Sequence, residues 1–155
     1  MTPITKIVLI VVVLVILLGI LFALPRFTAP ERFSNPWKEL GIDCLEGHQN
    51  VAYHIHPQLE IYLDGQPQTI PANIGITGNC MAEIHTHDST GKVHVEAVTA
   101  GKEFTLQKFF DIWGEKINRE GYQMRAMVDG QEIKSPASLI LKDGQQIRLD
   151  YTLAS

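Results

Sequence analysis

From Ile7 to Leu24 the chain runs through 18 residues without a charge or a strongly hydrogen-bonding side chain, nearly all of them Val, Ile and Leu. No other feature constrains folding as much, because a helix that is apolar on every face has no polar side to offer water. At about 1.5 Å per residue the run would reach roughly 27 Å, close to the hydrocarbon thickness of a bilayer. Pro25 and Arg26 end it. A cleaved signal peptide would carry a shorter apolar core, about 7–15 residues, and a small-x-small cleavage site. Ala23-Leu24-Pro25-Arg26 is a poor site of that kind. The expectation is a retained single-pass anchor, with residues 1–6 as a short tail and 7–24 as a transmembrane helix. Residues 25–41 then form a linker containing Pro25, Pro30 and Pro36, with a helical turn near Trp37–Leu40, and residues 42–155 form one domain.

The flanking charges point one way and the cysteines the other. Lys6 precedes the apolar run and Arg26, Arg32 and Lys38 follow it, which under the positive-inside rule would hold the domain in the cytoplasm. A six-residue tail before a long apolar run is nevertheless the layout of a signal anchor, and long domains translocate despite modest charge. Cys44 and Cys80, 36 positions apart, fit one disulfide in an exported domain, worth about 4 kcal/mol by loop-closure entropy. A metal-bound Cys80 thiolate and two inert thiols are the alternatives. The expected location is therefore the membrane, with the C-terminal domain on the periplasmic or extracellular side. A net charge of −4 over 155 residues, with no basic run, excludes a nucleic-acid binder, which needs a concentrated basic face.

In the domain, Val51, Tyr53 and Ile55 alternate with Ala52, His54 and His56, and after Pro57 the alternation resumes at Leu59, Ile61 and Leu63. Period two predicts a half-buried strand, with Pro57 at an edge or a bulge. Asp64-Gly65 predicts a hairpin turn into a return strand through Thr69 and Ile70. A second hairpin is expected from Glu83–His87 through Asp88–Gly91 to Lys92–Val98. Thr105 can cap a helix whose Leu106, Phe109, Phe110, Trp113 and Ile117 form one apolar stripe, more consistent with core than with a binding groove. Met124–Val128 turns at Asp129-Gly130 into Glu132 and Ile133, and Leu139–Leu141 turns at Asp143-Gly144 into Ile147, Leu149 and Tyr151. The fold class is α+β, a mostly antiparallel or mixed sheet with one amphipathic helix packed on a face. The order of elements resembles a β-grasp arrangement.

All six histidines fall between positions 48 and 94. His54 and His56, and His85 and His87, form H-x-H pairs, and His94 sits two residues before Glu96, so strand alternation places each pair on one face. With the second turn centred on Ser89-Thr90, His85 falls opposite His94, His87 opposite Lys92 and Glu83 opposite Glu96. Opposed residues have Cβ atoms roughly 4.5–5.5 Å apart, close enough for two imidazoles, with a third two residues along, to share an ion bound at about 2.0–2.1 Å. A one-residue slip would put Val93 or Val95 opposite His85 and destroy the cluster. The expected ligands are His54, His56, His85, His87 and His94, with Asp88, Glu96 and Met81 as further candidates and His48 outside. Imidazole suits Cu or Zn, and a methionine would favour Cu⁺. The bland alternative is a hydrogen-bonded histidine network.

The segments His54-Ile55-His56-Pro57, Ile70-Pro71-Ala72-Asn73-Ile74-Gly75-Ile76, Ile84-His85-Thr86-His87-Asp88 with Gly91 and Val93-His94-Val95-Glu96, and Phe109-Phe110-Asp111-Ile112-Trp113-Gly114 resemble a family of bacterial and archaeal exported or membrane-anchored proteins, over roughly residues 50 to 150. The resemblance implies an extracytoplasmic location and one domain, and carries no activity with it. Three functions compete. The first is a membrane-anchored metal-binding domain that handles Cu or Zn for a membrane complex. The second is a non-catalytic accessory or interaction subunit whose histidines are structural or respond to pH. The third is a metal-dependent hydrolase or oxidase with Glu96 or Glu83 as base. For the third the sequence lacks H-E-x-x-H, G-x-S-x-G, a P-loop and a dinucleotide fingerprint, so no catalytic residue is assigned.

Overall fold

A computed structural model describes residues 3–23, 35–45, 47–48 and 51–154. The chain divides into two compact units, Met1–Arg32 and Phe33–Ser155. The first contains helix α1 (Pro3–Ala23), whose consecutive side chains from Ile10 to Ile16 are all exposed. Side chains at 7–9, 17–18 and 20–23 lie outside the description, and over the described residues no helix is long and apolar enough to cross a membrane.

The second unit runs β1 (Cys44–Leu45), β2 (Tyr53–Ile55), β3 (Gln58–Leu63), β4 (Gln66–Gln68), β5 (Ile76–Thr77), β6 (Cys80–Ala82), β7 (Ile84–His85), β8 (His94–Ala97), α2 (Leu106–Trp113), β9 (Tyr122–Val128), β10 (Gln131–Ile133) and β11 (Gln146–Leu153). The largest sheet has the order β10-β9-β11-β3-β4, mixed because β11 runs parallel to β3 and antiparallel to β9. Both tight turns expected at its hairpins form. Asp64-Gly65 and Asp129-Gly130 each take positive φ at both residues, the backbone that matches strand twist across a two-residue loop. Leu59, Ile61, Ala126, Ile147, Leu149 and Tyr151 belong to one buried core with Leu106, Phe109 and Phe110 of α2, so the aromatic stripe is core. Each fully buried side chain of that size contributes roughly 1.5–3 kcal/mol.

The structure corrects four local expectations. The strand read from Val51 to Leu63 is two strands in different sheets, divided at buried Pro57. Proline has no N–H for a ladder; its carbonyl accepts from Val93 N and Gln58 N donates to Gln145 O, so the chain crosses between sheets there. The helix stops at Trp113, where Gly114 adopts φ +81 as a left-handed cap, and Ile117 is buried beyond it. Leu139–Leu141 contributes only a single bridge, Thr105 to Ile140, instead of a strand. Finally, Trp37 and Leu40 pack against the core, so the folded unit takes in the end of the expected linker. A 3₁₀ turn spans Lys38–Leu40, where a helical turn was expected.

Two three-stranded sheets place the histidines. In β2-β8-β7 the registers are His54 to Glu96, Ile55 to Val95, Ile84 to Val95 and His85 to His94. The sheet β1-β6-β5 comes from strands of two or three residues, too short to show a period. It carries the disulfide Cys44–Cys80, with Cα atoms 5.0 Å apart.

Candidate metal centre

The hairpin register derived from the turn holds at its decisive pair, His85 opposite His94. The outer pair does not form: Lys92 bridges to Gln58 instead of facing His87. Continuing the pairing of β2 with β8 by one step brings His56 opposite His94, and their ring centroids are 4.7 Å apart. Tyr53, Ile55, Ile84, Val95 and Ala97 turn toward the core. Alternation then sends His54, His56, His85, His94 and Glu96 to the other face.

That face is not simply a solvent surface. His85 and Glu96 are both 0% exposed, and the segment 71–76 closes over the end that holds His85. Thr86 pins this cover. Its hydroxyl donates to Pro71 O (2.8 Å) and accepts from Ile74 N (3.1 Å), and its backbone N donates to Ile74 O. Gly75 lies so close that a Cβ there would fall 2.5 Å from Ile84 O.

His85 is prepared as a ligand. Its Nδ1 lies 2.9 Å from Ala82 O, and a carbonyl only accepts, so Nδ1 carries the proton and Nε2 presents its lone pair. This is the outer hydrogen bond that ordinarily orients a metal-bound imidazole. Burial holds the ring's pKa down at about 3, with the hydrogen bond to Ala82 opposing and the neighbouring His87, His94 and His48 adding to the depression. Burial likewise lowers His94 to about 4, reinforced by His87, His56 and His54. Both rings are neutral at physiological pH, as ligation requires.

Glu96 is the hub. Its Oε1 lies 2.7 Å from His48 Nδ1, 3.0 Å from His54 Nε2 and 3.7 Å from His85 Nε2, whereas Oε2 is buried without a partner among the described residues. His85 Nε2 is 3.1 Å from His87 Nε2, and His54 Nε2 is 3.2 Å from His94 Nδ1. Among the described residues, three groups have all their ligand atoms within 4.8 Å of one another: His48-His85-His87, His54-His56-His94 and His85-His94-Glu96.

All five expected histidines are thus brought together, along with Glu96. His48, expected outside, stands inside, and the only signal for it was the confinement of every histidine to one stretch. The disulfide ties Cys44, four residues before His48, to Cys80 of β6, beside the strand pairing of β1 with β6. It also removes Cys80 as a thiolate ligand or nucleophile. Asp88 is turned away: its carboxylate accepts from Thr90 N and Thr90 Oγ1 in the exposed hairpin turn. Met81 is a half-buried strand residue of β6, paired with Leu45 and Ile76. Glu83 is engaged elsewhere, accepting from Asp43 N and from Lys102 Nζ. Grooves on the outer face of the large sheet (Glu60, Arg125, Arg148, Asp150) and beside Trp113–Glu120 carry no histidine. No family model matches this chain, and neither a curated protein nor a solved structure does so.

Proposed function

We propose that the protein is a membrane-anchored, extracytoplasmic domain that binds Cu or Zn and handles it for a membrane complex. The observation that carries the metal reading is the buried Glu96 carboxylate, with one oxygen ringed by imidazole nitrogens and the other without a partner among the described residues. Burying an ionised carboxylate costs several kcal/mol unless it is paired, and a cation among neutral imidazoles supplies that pairing. The donor set, imidazoles and one carboxylate, is that of Cu²⁺ or Zn²⁺ rather than of Ca²⁺ or Mg²⁺. The disulfide supports an oxidising compartment. The 18-residue apolar run, with exposed side chains along α1, supports the anchor. The strand order of the large sheet, with the last strand parallel beside the first strand of the opening hairpin, supports the β-grasp-like reading.

The test is metal content of the full chain purified in detergent without a histidine tag, followed by titration of the stripped protein. Binding of Cu²⁺ or Zn²⁺ tighter than about 10 μM, a gain of roughly 7 kcal/mol, is expected; weaker binding of both would reject the proposal. One observation favours the accessory-subunit reading: His48 and His54 both lie within hydrogen-bond distance of Glu96, as members of a self-contained hydrogen-bonded network would. Under that reading the stripped protein is fully stable, no metal binds, and the chain co-purifies with a larger membrane assembly.

A further inference from the structure

We infer that the histidines hold two metal ions, one by His48, His85 and His87 and the other by His54, His56 and His94, with Glu96 as a ligand shared between them. The inference rests on the metal-binding reading and adds its stoichiometry and its bridge.

The six rings divide without remainder into two sets that share no member, and within each set the ligand atoms lie within 4.8 Å of one another. Nitrogens around one ion at about 2.0–2.1 Å are at most about 4 Å apart, so small ring movements close either set. A single ion is a poor account of the cluster. Zinc takes four ligands in a tetrahedral site, and here six imidazoles and a carboxylate converge. His85 cannot serve two ions, because its Nδ1 is committed to Ala82 O and only Nε2 remains. The third group, His85-His94-Glu96, takes one ring from each set and marks the seam where the two sites adjoin.

Glu96 stands on that seam. Its Oε1 touches His48 of one set (2.7 Å) and His54 of the other (3.0 Å), and Oε2 is buried with no partner among the described residues. Three imidazoles and one carboxylate oxygen make four ligands for each ion. The carboxylate's charge also offsets the repulsion between two neighbouring cations. Glu83, the other buried carboxylate, also has one oxygen, Oε1, without a partner among the described residues, but its charge is matched by Lys102 and no imidazole lies against it.

The experiment titrates the detergent-solubilised full chain with Cu²⁺, following bound metal by elemental analysis and the ions' magnetic coupling by electron paramagnetic resonance. The expected result is two Cu²⁺ per chain, with a signal weakened and broadened by coupling at the second equivalent. His87→Ala and His56→Ala change side chains at the open side of the cluster, so they leave the fold intact. Each should lower the stoichiometry from two to one and restore an isolated Cu²⁺ spectrum. Glu96→Gln should abolish the coupling. One ion per chain in the parent, or two with the spectra of isolated ions, would overturn the inference while leaving metal binding standing. No bound Cu²⁺ or Zn²⁺ at all would overturn both.

Discussion

His85 carries two burdens at once, and its replacement separates them. The ring is fully buried and donates to Ala82 O, so His85→Ala should abolish most metal affinity and also destabilise the metal-free protein by about 1–3 kcal/mol through the carbonyl left unpaired. His94 is only half-buried. His94→Ala should cost comparable affinity with under about 1 kcal/mol of stability, as partly exposed substitutions usually do. His48→Ala, harmless if that residue lay outside the cluster, should now weaken metal binding. Denaturant unfolding of the stripped variants beside metal titration reads out all three. Away from the site, burial pushes the Tyr151 hydroxyl up to about 12, with Arg119 opposing, while it donates to Ile117 O at 2.6 Å. The folded chain thus keeps this proton where the unfolded chain, near the ordinary tyrosine value of 10.0, releases it. The stabilisation is whole below pH 10 and drains away as the pH rises toward 12. An absorbance titration should show late tyrosine ionisation, because burial also raises Tyr53, and Tyr151→Phe should remove the last step.

At the scale of elements, the short sheet β1-β6-β5 acts as the brace of the site. The disulfide joins β1 to β6, and the chain reaches His48 four residues after Cys44. Replacing both cysteines by serine should lower stability by up to about 4 kcal/mol. It should weaken metal binding as well, because the segment bearing His48 loses its tether. The measurement is the affinity ratio of the two proteins at a temperature where circular dichroism shows both folded; an unchanged ratio would mean that the tether is irrelevant to the site. Gly75 tests the cover over the buried end. At φ +74 a Cβ would lie 2.5 Å from Ile84 O and 3.2 Å from the Cβ of His85. Gly75→Ala should therefore cost about 1–3 kcal/mol in backbone strain and displace β7, with a loss of metal affinity to match.

For the whole molecule, the proposed anchor predicts that the protein stays in the membrane fraction after carbonate and high-salt washes; release into the supernatant would reject it. How the parts come together was only partly readable beforehand. Period-two and period-3.6 patterns, turn dipeptides and the Thr105 cap act within a few residues of themselves, so Asp64-Gly65, Asp129-Gly130, α2 and the pairing of His85 with His94 could all be derived from the residues alone. The five histidines of the strands followed from the same local geometry. What local signals cannot carry is closure between distant segments. Pro57 reads as a flaw in one strand, yet it sends β2 and β3 into different sheets. His48 sits in no periodic segment, and it reaches Glu96, 48 positions away, through a disulfide and strands of two or three residues. The sequence by itself determined which segments pair nearby and which faces are apolar, because those depend on alternation and turn chemistry. That Glu96 lies buried against His48, His54 and His85 emerges only in the folded chain, because burial depends on what the rest of the chain lays over it.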